Sequence, residues 1–121
     1  MAWILENTPQ GLYRLLLDLV KVPSVSLTQG EVEVAERIEE SLGALPYFRQ
    51  NPQDLRFIPI PGDPIGRKSV MALVRAKPAT RRTVVVIGHA DVVGPEPYGA
   101  LADLAFDPVA LTDRLERENL P

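Results

Sequence analysis

No cysteine occurs in the 121 residues, which excludes disulfides, thiolate metal sites and cysteine nucleophiles. Histidine is nearly as scarce, with His89 as the single copy. A long hydrophobic run is also missing. The best stretch, Leu12 to Val22, carries Arg14, Asp18 and Lys21 and is too short for a bilayer that takes about 20 apolar residues. The opening Met-Ala-Trp-Ile-Leu-Glu has no basic region ahead of its apolar residues, so no secretory leader is read there. With the lack of cysteine, this agrees with a cytoplasmic location. A net charge of −3 argues against a dedicated nucleic-acid binder, and no membrane partner is expected. Internal repeats and low-complexity tracts are absent from the sequence.

What is present fits a soluble globular chain, with 45% hydrophobic and 24% charged residues. The length suits a single domain over residues 1–121. Twelve prolines are about twice the usual share of roughly 5%, and they lie between periodic segments rather than within them. Charge is uneven. Residues 31–40 hold five glutamates, and residues 67–82 hold six basic residues without an acid. Two solvated faces account for this pattern; a basic rim for an anionic substrate or partner is the sharper alternative.

Local signals predict a helix opening at Thr8-Pro9, with a capping hydroxyl and proline in the first turn. Leu12, Leu15, Leu16 and Leu19 form its apolar stripe, and Val22-Pro23 ends it. A second helix starts near Gly30, where Thr28 and Glu31 have capping-box spacing. Its buried stripe is Val34, Ala35, Ile38 and Leu42, and Gly43 suits a left-handed residue after its end. Leu55–Ile60 reads as an edge strand, Pro61–Pro64 as a turn, and Val70–Arg75 as a second strand. Thr83–His89 is the most apolar strand and therefore the central one. A loop rich in glycine and proline follows, over residues 94–99. Asp107-Pro108 opens a last helix to about Glu118, with Asp113 and Arg117 as an i, i+4 pair. The predicted fold class is α/β, a three-layer type sandwich with a mixed, mostly parallel sheet flanked by helices.

The chemistry-bearing element is Val84-Val85-Val86-Ile87-Gly88-His89-Ala90-Asp91. An apolar strand that stops at Gly-His-Ala-Asp delivers polar side chains to its carboxyl end, where open α/β sheets place their sites. Residues i and i+2 of an extended segment point to the same side. Asp91 can therefore orient the His89 imidazole, as an outer-shell acceptor does for a metal-binding histidine. A histidine bonded to nearby backbone and an aspartate that forms a turn are the plainer readings. Ser24 and Ser26 read as loop hydroxyls, Tyr98 as a loop packing residue and Glu96 as solvated.

Val22-Pro23-Ser24-Val25-Ser26, then Gly30-Glu31, an amphipathic helix, and strands leading to His89-Ala90-Asp91-Val92-Val93 together resemble the amino-terminal part of the co-catalytic zinc peptidase and deacylase family. This family includes aminoacylases, acetylornithine deacetylase and succinyl-diaminopimelate desuccinylase. Tyr98-Gly99 and Ala105-Phe106-Asp107-Pro108 look most like its arginine-utilization (RocB-type) branch of amino acid degradation proteins. The resemblance implies His89 as a zinc ligand and Asp91 as the catalytic-site aspartate that holds its ring. It further implies two zinc ions in an intact enzyme, which cleaves an amide or peptide bond of an amino acid derivative by metal-activated water. The substrate would be a small molecule or peptide.

The other ligands and the general base that the resemblance implies find no match in this sequence. A hydrolytic zinc keeps about three protein ligands and one open position, so the chain alone is expected to be inactive. The expectation is an amino-terminal piece of a longer catalytic domain, with the end at Leu120-Pro121 fitting a cut in an internal loop. Uncovered sheet edges and apolar surface recruit other chains, which predicts self-association, as a homodimer. A non-catalytic binding or interaction module that kept the fold and lost the metal site stays open as the alternative. So does an unrelated α/β domain with an incidental His-x-Asp.

Overall fold

The computed structural model describes residues 8–119. The predicted break at Leu120-Pro121 and the first seven residues lie outside them. Helix α1 spans Pro9–Val20, and its start follows the sequence signal: Thr8 is extended and accepts the Gly11 N–H at 3.0 Å, with Pro9 in the first turn. The predicted stripe is only half used. Leu15 and Leu19 are half-buried, whereas Leu12 and Leu16 stay more than half exposed.

Helix α2, Gly30–Gly43, carries most of the core: Val32, Val34 and Ala35 are buried on it, with Ile38 and Leu42 half-buried. Thr28 and Glu31 both serve its start, with altered bonding. The Thr28 hydroxyl accepts the Gly30 N–H, and the Glu31 carboxylate accepts the Leu27 N–H at 2.6 Å. Gly43 does not take the left-handed form predicted for it. It is the last helical residue, and Ala44 after it keeps helical angles. The chain runs on into a short helix α3, Pro46–Gln50, which no sequence signal announced; it buries Phe48.

Strand β1, Leu55–Pro59, pairs antiparallel with β2, Lys68–Ala72, in the register Leu55↔Ala72, Phe57↔Val70 and Pro59↔Lys68. The alternation of half-buried Leu55 and Phe57 with exposed Arg56 and Ile58 turns one face toward α2. Ion pairs, two of them on buried carboxylates, fasten the hairpin. Asp54 receives Nε and Nη2 of Arg75 at 3.0 and 2.9 Å and the Tyr47 hydroxyl at 3.1 Å. Arg67 bonds Asp63 at 2.6 Å and reaches Glu31 at 3.2 Å, while Lys68 pairs with Glu36. Glu31 and Glu36 of the acidic helix thus pair with the start of the basic segment, which takes Arg67 and Lys68 out of any basic rim. The other acidic and basic residues of the two stretches, Glu33, Glu39, Glu40, Arg75, Lys77, Arg81 and Arg82, are exposed, as two solvated faces require.

The fold is α/β in content, with helices and a two-stranded antiparallel sheet, the one sheet among the described residues. The predicted three-layer sandwich with a mostly parallel sheet is not formed by them. The physical reason lies in the expected central strand. Thr83–His89 forms no regular secondary structure and pairs with no strand, and Val84, Val86 and Ile87 are each close to 90% exposed. An apolar run becomes a central strand only when neighbours cover both edges and both faces, and here they do not. Two clefts of about 560 and 550 Å³ flank its carboxyl end, one toward α1 and Tyr98, the other toward β2.

The predicted loop after residue 94 is instead a 3-10 segment, Glu96–Leu104, bent at Gly99 with φ 56°. Helix α4, Pro108–Arg117, opens as predicted, with Asp107 Oδ1 accepting the Ala110 N–H at 3.0 Å. Its ion pair differs from the expected Asp113–Arg117 and joins Arg114 to Glu118.

Candidate functional site at His89, Asp91 and Ser26

The site is built where two distant loops meet. Val25 and Val92 form an isolated parallel bridge: Val92 N–H donates to Ser24 O at 3.0 Å, and Ser26 N–H donates to Val92 O at 3.0 Å. Ser24, buried at 3% exposure, adds a hydroxyl bond to Ala90 O at 2.7 Å. The Pro-Ser-Val-Ser turn is thereby stitched to both sides of Asp91. Gly30 secures the turn from behind. A Cβ at this position would lie 2.0 Å from Pro23 O and 2.7 Å from its carbon, so only glycine lets the start of α2 approach that backbone.

The structure brings His89 and Asp91 together, as the i, i+2 spacing predicts. Nδ1 of His89 lies 3.1 Å from Asp91 Oδ1 and 3.1 Å from the Asp91 carbonyl oxygen. Both neighbours are acceptors, which assigns the proton to Nδ1 and leaves the Nε2 lone pair available. The His89 side chain is 84% exposed, so the ring stands outside the apolar core. Its support differs from the predicted one: the bridge to the Ser24–Ser26 turn holds this element, in place of a β-sheet edge.

Ser26 is the site residue that sequence reasoning passed over. Its hydroxyl donates to Asp91 Oδ2 at 2.8 Å. This bond is the main reason the Asp91 carboxyl lies below its ordinary value; the His89 contact pushes the same way, and partial desolvation opposes both. The contact order is serine to aspartate to histidine. A nucleophilic serine needs its hydroxyl on the imidazole, and Ser26 has it on the carboxylate. The available signal was the matched spacing of Ser24-x-Ser26 and His89-x-Asp91, two extended i, i+2 pairs, though nothing in it reveals that they align.

A zinc ion can be tested against this donor set. His89 Nε2 fits one ligand position, exposed and braced through its other nitrogen. Asp91 has both carboxylate oxygens engaged, which suits a brace and not a second ligand. No cluster of three or more His, Cys, Asp or Glu side chains able to hold a metal occurs among the described residues. The residues therefore fit a single ligand with its support and fall short of a hydrolytic centre.

No protein-family model and no solved structure matches the chain. Among curated proteins it is similar to protein RocB of Bacillus subtilis (strain 168), 36% identical over 92% of this chain and 20% of RocB. It is also similar to the uncharacterized protein YqjN of the same organism, 35% identical over 99% of this chain and 21% of YqjN. The chain thus spans about a fifth of the length of these relatives. Among the described residues, no helix is long and apolar enough to cross a membrane.

Proposed function

We propose that this chain carries the first metal-ligand element of a metal-dependent hydrolase in arginine or related amino acid catabolism. His89 is the ligand and Asp91 its brace. The reaction is cleavage of an amide or peptide bond in an amino acid derivative, and the residues that complete the centre lie in sequence other than this chain. The observation that carries this reading is the imidazole held through Nδ1 with Nε2 turned outward; the similarity to RocB supports its placement. The work of the chain's own residues is to hold that ring in one tautomer and one direction. Zinc, when bound, supplies an acidified water. A cytoplasmic setting fits the lack of cysteine.

The test uses a polypeptide of the relatives' length that contains this chain. His89→Ala is expected to lower bound zinc and to abolish hydrolysis of N-acyl amino acids, while Asp91→Asn weakens both. Full zinc occupancy and full activity in His89→Ala would sink the proposal.

We further propose that the chain by itself self-associates, as a homodimer, through the bare Thr83–Ile87 edge. Light scattering of the wild type is expected to show a dimer, and Val84→Lys with Val86→Lys to restore the monomer. A monomeric wild type at high concentration overturns this.

A further inference from the structure

We propose that Ser26 is a positioning residue for His89, acting through Asp91: its hydroxyl on Oδ2 fixes the carboxylate plane so that Oδ1 holds the ring proton on Nδ1. The inference deepens the reading of His89 as a ligand, and rests on it for its functional meaning. A carboxylate held by one oxygen alone can turn about its last side-chain bond. Here its other partner is an imidazole that is itself 84% exposed and competes with water. The second anchor at 2.8 Å removes that freedom.

Ser26 can anchor because main-chain bonds place it. Its own N–H is tied to Val92 O, and Val92 N–H is tied to Ser24 O, so the serine is one residue removed from a fixed bridge. Asp91, between Ala90 and Val92, is held on both sides by the same turn, through Ser24 on Ala90 O and Ser26 on Val92 O. The hydroxyl and the carboxylate are thus preorganised against each other by the backbone. A ligand at an exposed site gains most from such preorganisation, because solvent offers its side chain many alternative partners.

The single histidine makes the test unambiguous. Long-range proton–nitrogen spectra of the ring are recorded above about pH 7.5, where an ordinary imidazole is neutral. In the wild type, Nδ1 is expected to read as protonated and Nε2 as bare. Ser26→Ala should shift the ring toward the Nε2–H form, and Ser26→Thr should restore the wild-type pattern. Ser24→Ala, which breaks the bond to Ala90, should lower stability and leave the tautomer in place. Amide signals of Val25 and Val92 report whether the bridge survives. If Ser26→Ala loses it, Ser26→Cys, with a weaker donor of similar shape, takes its place and should show the same shift. An unchanged tautomer in the folded variant overturns the proposal.

Zinc binding measured on the same variants in a polypeptide of the relatives' length separates the two readings. About tenfold weaker apparent affinity is expected in Ser26→Ala, the low end of effects from supporting partners. A tautomer shift without any zinc response leaves Ser26 as the positioning residue and removes the metal reading. Zinc binding with no tautomer shift does the reverse.

Discussion

Two apolar stretches of this chain met opposite fates. Val32, Val34 and Ala35 on α2 are buried, with the β1–β2 hairpin packed against that helix, while Val84, Val85, Val86 and Ile87 lie bare. The second stretch is the more hydrophobic. The difference lies in where the partners are. Helix α2 exposes one stripe, and a hairpin some dozen residues further along the chain covers it, fastened by Arg67 and Lys68 to Glu31 and Glu36. An apolar strand needs cover on two faces and pairing on two edges, and the described residues supply neither. Hydrophobicity sets the demand for burial, and topology decides whether it is met.

The largest expected effect tests the ordered side of this contrast. Gly30→Ala forces a Cβ into the Pro23 carbonyl, and a rigid backbone clash belongs at or above the upper end of the about 1–3 kcal/mol typical of overpacking. Denaturant unfolding should show a sharply lowered midpoint, with loss of the Val25–Val92 bridge. Wild-type stability in this variant would show that α2 does not fasten the Pro-Ser-Val-Ser turn. Next comes a matched pair. Val34→Ala, at a site 4% exposed, should cost about 2 kcal/mol. Val86→Ala, 90% exposed, should change monomer stability by less than about 0.5 kcal/mol. Equal costs would erase the distinction. If Val86→Ala becomes costly in a polypeptide of the relatives' length, the strand is covered there.

The smallest effect concerns acid. Hydrogen bonds from the Arg67 side chain and backbone hold the Asp63 carboxyl at about 2, against an ordinary 3.8. A lowered folded value stabilises the protein fully above the ordinary value and is lost as pH falls from there through the folded one. Asp54, held down first by Arg75, adds in the same direction. Unfolding midpoints measured from about pH 5 down to pH 2 should therefore fall, and less steeply in Asp63→Asn. A flat wild-type profile would detach the hairpin from its ion pairs.

Much of the local structure was legible. The cap-and-proline signals at Thr8-Pro9 and Asp107-Pro108 place two helix starts to the residue, because the capping bond is made within three residues. The two hairpin strands were also readable, although β2 runs over Lys68–Ala72 rather than Val70–Arg75, because its register is set by pairing from Pro59 back to Leu55 and not by its own apolar run. Helix α3 was hidden, having too few residues for a periodic signal. Gly43 misled because a glycine that can end a helix is not obliged to. At the site, His89 and Asp91 could be paired from their spacing, whereas Ser26 could not, with 65 residues separating it from Asp91.

The sequence alone determined whatever is decided within a few residues: helix starts, the alternation of the hairpin, and a carboxylate two positions from the only imidazole. Tertiary structure decided which distant loops met, that a serine hydroxyl would hold the carboxylate, and that the most apolar run would remain uncovered. The division follows from the range of the forces involved. Capping and i, i+2 geometry act through bonds the chain cannot avoid, whereas burial and strand pairing require a second segment that the pattern of the first does not specify.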